Sequence, residues 1–449
     1  MSLFLGLLVI AAAVFAVIRR VDVRLALLLA ALALGALGGD VPLILRTFFV
    51  TFCKEQFVVP ICCATGFGFV LRHTQCDQHL VQLMVRPLRN VRFLLIPGVV
   101  LVGFFVNSVL VSQVGTAVSI GTVLVPLLRR SGVSPLTTGA ALLLGASLGG
   151  DLLNPGAPEW RTIGKALDVE ASECIQAVLP LLFVQLAVAT SVFWLLSRRA
   201  ETRHKKVTDA RTPIVEAGDV PEFHINPLKA AVPVVPLVLL FLVSPPYGPL
   251  SVSKAWLVDL TSASDTENFE SRLIGAAMVI GSAMATMVAW RQSLRTARAF
   301  CEGAGYGFAH IISIIVAATC FGKGVELLGV GELLLEAVNS QPWLLLPIAG
   351  YLPLSFAALC GSGMATTQSL FGLFVYPARQ IGMDPMHVGA VVAIAASAGR
   401  TMSPVAAITL MSATLTETNP LSLVRRVVLP LMVAVGVTLV VAIILAKGG

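Results

Sequence analysis

Long apolar runs alternate with short polar breaks along the whole chain. A run near twenty apolar residues is long enough to cross a hydrocarbon core as a helix. The pattern therefore predicts an all-α polytopic membrane protein. Residues 1–197 read as a first unit: scaffold helices within 1–38, an amphipathic interfacial helix at 41–56, a span at 57–71, an apolar stretch at 93–128, a Gly- and Pro-broken helix at 135–158 and a span at 175–196. A polar, charged linker follows at 198–226. The second unit, 227–449, holds spans at Leu228–Val243 and Leu273–Ala289, a second interfacial helix at Trp290–Gly303 and a span at Gly305–Phe321. An apolar stretch at 343–376, a broken helix at 386–411 and a final span at Val427–Leu445 complete it.

The stretches 93–128 and 343–376 carry polar patches at their centres: Asn107, Ser108, Ser112, Gln113, Gly115 and Thr116 in the first, and Gly361 to Ser369 in the second. Non-helical backbone at membrane depth is tolerated where protein buries it, so both read as re-entrant hairpins. For the first, two ordinary spans joined by a tight turn is the competing reading, which hydropathy does not separate. Basic clusters mark cytoplasmic ends. Arg92 precedes the first hairpin and Arg129-Arg130 follow it. Both its ends are then cytoplasmic, while the second hairpin is entered from outside. The N-terminus is placed outside by Arg19, Arg20 and Arg24 after the first run. No basic residue precedes that run, which argues against a cleaved signal peptide. The same element order starting from opposite sides predicts two inverted-topology repeats, each with a re-entrant hairpin and a broken transmembrane helix.

One stretch occurs twice at an offset of 250. Gly132, Pro135, Gly139, Ala140, Ala146, Ser147 and Gly149 answer Gly382, Pro385, Gly389, Ala390, Ala396, Ser397 and Gly399. One deletion later, Asn154-Pro155 answers Ser403-Pro404. Glycine, proline and serine matches of this kind are not a by-product of apolar composition. Paired broken helices in corresponding halves point to a transporter binding site at the bilayer midplane.

Composition narrows the function classes. The chain is 57% hydrophobic and 12% charged, against about 25% charged in soluble domains. The net charge of +7 sits in short loop clusters, so nucleic acid is not implied. The eight cysteines show neither a CxxC pair nor Cys/His metal spacing, and no phosphate-binding loop is visible. No cofactor and no enzyme activity are expected. A membrane enzyme needs a His/Asp/Glu cluster at one face, and a channel needs a continuous polar stripe. Here polarity is confined to four islands, the two hairpin tips and the two helix breaks.

Arg400 stands in the second break, and an intramembrane charge is a functional-site hypothesis by default. Its guanidinium either grips a substrate carboxylate or pairs with Asp151, one aligned position away in the other copy. The two roles are compatible, because the pair can open when substrate arrives. Asp151 is read as a proton or sodium carrier, or as the partner of Arg400. Thr401, Ser403, Ser362, Gly363, Thr366, Asn154 and Thr116 complete the candidate substrate set; Ser112, Gly115, Ser147, Gly361 and Ser397 join Asp151 as candidate ion-coupling residues. Hydroxyls of Ser112, Thr116, Ser147, Ser362 and Ser397 are the possible Na⁺ ligands; H⁺ is the other coupling ion. Glu159 is expected at a solvated outer helix end. His310 reads as a packed, hydrogen-bonded histidine, and Lys323, Glu326, Glu332 and Glu336 as a solvated face.

Three stretches carry a family likeness: Ala396-Ser397-Ala398-Gly399-Arg400-Thr401-Met402-Ser403-Pro404-Val405, the tip Gly361-Ser362-Gly363, and Leu423 to Pro430. With the element order, they make the chain resemble the ion-transporter superfamily of secondary carriers and, within it, the anaerobic C4-dicarboxylate carrier family, DcuC type. Ser112 to Thr116 and Asn154 to Glu159 depart from the family pattern, so the first half is the less faithful one. The resemblance implies a secondary transporter of succinate- or fumarate-like dianions. It would work by alternating access on an ion gradient, as a homodimer in a bacterial inner membrane. Citrate, gluconate or a basic amino acid on the same fold, or an ion channel, are the alternatives.

Overall fold

The computed structural model describes residues 2–19, 21–87, 94–110, 112–208, 224–243, 252–290 and 295–448. Helices α1 (Ser2–Ile18), α2 (Val23–Leu37) and α3 (Val41–Phe52) come first. Asp22 and Asp40 cap α2 and α3 by accepting the backbone N–H of Arg24 and Leu43. Helix α4 runs Glu55–Thr74. The interfacial helix thus stops short of the expected 41–56, at a turn through Cys53 and Lys54, and the span starts two residues before 57. A short helix, α5 (Cys76–Val85), has no counterpart in the sequence reading. It is fastened to the next hairpin by Ser119, whose hydroxyl donates to Asp77 at 2.5 Å. Burial pushes the Asp77 carboxyl above the usual carboxylate range, against that bond.

The stretch 93–128 forms two helices, α6 (Leu95–Leu110) and α7 (Gln113–Arg130), which fold back on one another about Ser112. Arg92 lies outside the described residues. Next come α8 (Pro135–Ser147), a 3₁₀ turn at Gly150–Leu153 and α9 (Pro158–Leu167). Pro158 therefore opens a second half-helix rather than ending the element, because proline at a first helical position has no N–H to leave unsatisfied. Helix α10 spans Ala171–Thr208 and carries the first eleven residues of the expected linker in helical form; residues 209–223 lie outside the description.

In the second half, α11 is Pro227–Val243 and α12 is Phe269–Val288. Of the expected interfacial helix at 290–303, residues 291–294 lie outside the described residues, and the remainder is corrected. Helix α13 runs unbroken from Thr296 to Leu327, with a π turn at Phe308–Ile312. Its first turns lie against α4 instead of in an interface, because small residues let the backbones touch: a Cβ on Gly303 would stand 2.6 Å from the Thr65 carbonyl. Then follow α14 (Val330–Ser340), α15 (Leu345–Cys360), α16 (Gly363–Gln380), α17 (Pro385–Thr401), α18 (Ala407–Thr416) and α19 (Pro420–Gly448).

Helix starts recur at one spacing. Helices α6 and α15, α7 and α16, and α8 and α17 begin 250 residues apart, at 95 and 345, 113 and 363, and 135 and 385. The last of these pairs starts behind a left-handed glycine, Gly132 in one and Gly382 in the other. Helix α2 packs on α13, α13 on α4, and α4 on α12, forming one group. Helices α6 and α7 pack on α8, α15 and α16 on α17, and α10 on α19, forming another. Seven helices among the described residues are long and apolar enough to cross a membrane, and the chain is an all-α polytopic membrane protein.

Candidate functional site

The two tips are built alike. Ser112 accepts the Gly115 N–H at 3.1 Å and Ser362 the Ala365 N–H at 3.2 Å, so each serine caps the returning helix. Gly361 turns the second tip at φ +73°, and a Cβ there would meet the backbone nitrogen of Ala406 at 3.1 Å. The first break is stitched to the first tip. Asn107 Oδ1 accepts the Asp151 N–H at 3.0 Å, Asn154 Nδ2 donates to the Ser108 carbonyl at 2.8 Å, and Asn154 Oδ1 accepts the Gly156 N–H at 2.8 Å. In the second break Thr409 donates to the Ser403 carbonyl at 2.7 Å.

Tips and breaks meet at a cavity of about 330 Å³, at the lower end of the range for small-molecule sites. Ser112 and Gln113 line it from the first tip, Gly361, Ser362 and Gly363 from the second, Asp151 and Glu159 from the first broken helix and Arg400 from the second. Arg24, Tyr306 and His310 close it on the side of α2 and α13. Arg400 is buried and ion-paired. Nη1 and Nη2 each lie 3.4 Å from one Asp151 carboxylate oxygen, while Nε reaches Ser147 Oγ at 3.2 Å and Nη2 the Ser147 carbonyl at 3.3 Å. Strong bidentate contacts are about 2.7–2.9 Å, so this pair is loose. Asp151 holds a shorter bond from Gln113 Nε2, 2.6 Å.

Of the residues singled out in the sequence, Arg400, Asp151, Ser112, Gly361, Ser362 and Gly363 line the cavity. The other candidate substrate and ion residues lie outside its lining. Thr401 Oγ1 lies 2.8 Å from both the Ser147 and the Ser397 carbonyls, either of which takes its one proton, while Ser397 donates to the Ile394 carbonyl and Thr366 to the Ser362 carbonyl. Thr116 accepts a long bond of 3.5 Å from Asn107, Gly115 is tied into the first cap, and Ser403 keeps a buried hydroxyl without a partner. Ser147 Oγ, an expected Na⁺ ligand, here receives Arg400 and lies 2.9 Å from Thr401 Oγ1. Among the described residues no group of three His, Cys, Asp or Glu is placed to hold a metal.

Two expectations are corrected. Glu159 is not solvated: it is 4% exposed and faces the cavity, because α9 continues inside the protein beyond Pro158. His310 is not a packed core residue. It is exposed along the cavity wall, stacked on Tyr306 with centroids 4.2 Å apart, and Nδ1 lies 3.1 Å from the Tyr306 carbonyl. Gln113, Arg24 and Tyr306 were not anticipated as lining residues. Only Gln113, inside the polar patch, carried a sequence signal. Arg24 read as a loop charge, yet it donates to the Ala309 carbonyl at 2.9 Å and to Ser313 Oγ at 3.3 Å.

This geometry accompanies a set of likenesses. The family profile described as C4-dicarboxylate anaerobic carrier, DcuC, matches residues 56–447. A Haemophilus influenzae protein described as an uncharacterized transporter is 35% identical over 121 residues, covering 27% of this chain and 80% of that protein. The anaerobic C4-dicarboxylate transporter DcuC of Escherichia coli K12 is 21% identical over 402 residues, covering 85% of this chain and 79% of its own. A probable transporter of the same name from Vibrio cholerae is 23% identical over 382 residues, 82% and 77% of the two chains. The crystal structure of the Alcanivorax borkumensis YdaH transporter, reported for its unusual topology, overlays with a TM-score of 0.61 at 16% identity, covering 95% of this chain and 97% of that one. The fold is shared with that transporter, and the profile match over most of the length, together with the DcuC relatives, establishes that this chain belongs to the DcuC family of C4-dicarboxylate anaerobic carriers.

Proposed function

We propose that the chain is a secondary active transporter of C4-dicarboxylates such as succinate or fumarate, driven by an ion gradient. Arg400 carries the reading. A dianion leaving water needs donors in place of its hydration, and Arg400 offers a buried guanidinium at the cavity, with loose contacts of 3.2–3.4 Å. One substrate carboxylate replaces Asp151 on Arg400 and takes donors from the second tip, where Ser362 and Gly363 begin α16. Thr401, Ser403, Thr366, Asn154 and Thr116 hold that arrangement from behind. Ser112, Gly115, Ser147, Gly361 and Ser397 sit at the tips and breaks where an ion can couple. The names of the curated relatives support the substrate class.

The shared helix spacing supports two inverted repeats, residues 1–197 and 227–449, with re-entrant hairpins at α6–α7 and α15–α16. In alternating access the hairpins, broken helices, α10 and α19 move together against the group containing α2, α4, α12 and α13. A homodimer in a bacterial inner membrane is the matching assembly. Uptake of labelled succinate into proteoliposomes under an imposed Na⁺ or pH gradient tests this. Accumulation under one gradient, competed by fumarate and not by citrate, gluconate or arginine, is expected. If neither gradient moves succinate, fumarate or malate, the assignment is wrong.

A further inference from the structure

Glu159 is the one cavity carboxylate that the pairing of Asp151 with Arg400 leaves aside. It is 4% exposed, it lines the cavity, and its Oε2 has no hydrogen-bond partner. A buried carboxylate oxygen is stable only with a donor, a counter-charge or a proton. The nearest counter-charge, Arg400, is already engaged by Asp151. The positive end of α9 favours the anion at this second helical position, but Asp151 faces it across the same space and opposes it.

The remaining charged and titratable groups are placed elsewhere. On its own helix, Arg161 is bonded to Glu270 at 2.9 Å and Lys165 to Gln56 at 3.3 Å. Helix α4 presents Glu55, bonded to Arg272, and α10 presents Glu173 near its start. Helix α16 bears Arg379 in its last turn, far from the tip, and α17 contributes Arg400. Across the cavity stand Arg24, Tyr306 and His310.

An entering dianion makes the balance decisive. The cavity wall carries two arginines, Arg400 and an Arg24 already paired with Asp22 at 3.1 Å, against Asp151 and Glu159. Two further negative charges leave the site short of positive charge unless a wall carboxylate is neutralised. Asp151 keeps the 2.6 Å bond from Gln113, while Glu159 has an open oxygen. We propose that Glu159 is the coupling proton site: Oε2 takes one proton from water on the loading side as a dicarboxylate binds. That O–H then donates to the carboxylate remote from Arg400, and the proton leaves to water on the other side after the substrate. This rests on the dicarboxylate reading above.

Succinate binding to the purified full-length protein, measured by calorimetry in phosphate and in Tris, tests it. The wild type should take up about one proton per succinate in weakly alkaline buffer, with affinity falling up to tenfold per pH unit as pH rises. Glu159→Gln, a permanent mimic of the protonated acid, should bind with no proton uptake and with little pH dependence. Proton uptake persisting in Glu159→Gln assigns the proton elsewhere and overturns the proposal. So does wild-type binding without proton uptake, which leaves the dicarboxylate reading standing. A wild type that binds no dicarboxylate overturns both. If Glu159→Gln does not fold, the wild type decides alone: succinate must raise a deuterium-sensitive carbonyl band of a protonated carboxyl group in infrared difference spectra, and its absence overturns the assignment.

Discussion

Arg400→Gln isolates the buried pair. The substitution removes the charge and leaves Asp151 with Gln113 Nε2 at 2.6 Å and no cationic partner at the site of its two 3.4 Å contacts. Breaking a buried ion pair by removing one member costs about 3–5 kcal/mol. The retained Gln113 bond and the looseness of the pair place the expected loss near the lower bound, about 3 kcal/mol. A folded state worth about 5–15 kcal/mol survives it. Asp151→Asn combined with Arg400→Gln should recover most of the stability but none of the succinate uptake. The assay is thermal unfolding of detergent-solubilised protein from pH 5 to 8, beside uptake in proteoliposomes. An Arg400→Gln variant as stable as wild type at pH 7 refutes this account of the pair.

Three further outcomes follow from local geometry. Glu201 accepts from the backbone N–H of Ser134 and from the Ser134 and Thr137 hydroxyls, so it caps α8 from α10; Glu201→Ala should cost about 1–2 kcal/mol in thermal or denaturant unfolding. Gly399→Ala should cost about 1–3 kcal/mol and impair uptake, since its Cβ would stand 2.2 Å from the Leu354 carbonyl and 2.8 Å from Ala357 Cβ. The Arg272 guanidinium holds the Asp265 carboxyl below the usual carboxylate range. The stability this adds is present above the ordinary aspartate value and disappears as pH falls through the lowered one. Asp265→Asn should therefore flatten the acid limb of the melting-temperature profile without changing its behaviour in base.

What sequence made legible was whatever local chemistry dictates. Pro135 opens a helix where the sequence places the start of the first broken helix, because proline suits a first turn; the sequence marks Ser112 and Ser362 as possible ligands, and the structure uses both hydroxyls as helix caps. Arg400 stood out because charge at membrane depth is expensive. Glu159 was misread because nothing local distinguishes a half-helix that continues inward from one that ends at a surface; the fold of α9 against α16 and α10 decides it. Trp290 to Gly303 is amphipathic enough to pass for an interfacial helix, and only the close approach of Gly303 to α4 makes Thr296 onward part of a span. Arg24 and Tyr306 reach the cavity through contacts between segments nearly 300 residues apart, which no window along the chain reports.

The repeat and the chemistry pull in opposite directions, and the site lies where they diverge. Helices α7 and α16, and α8 and α17, share starts at one offset, yet one copy carries Asp151 one aligned position from where the other carries Arg400. Two like charges meeting between the breaks would repel in a low-dielectric setting. Under the proposed transport cycle, opposite charges let the two breaks close on an ion pair before substrate binds. The looseness of that pair, 3.4 Å on both oxygens, keeps its exchange for a substrate carboxylate near balance. Under the proposal above, reversing the pair with Asp151→Arg and Arg400→Asp should therefore restore stability relative to either single change, because the attraction is symmetric. It should not restore uptake, because Gln113 and the Ser147 carbonyl are arranged for a carboxylate on one side and a guanidinium on the other. Recovery of succinate uptake in the swapped protein would show that the asymmetry is incidental and that the two breaks are interchangeable.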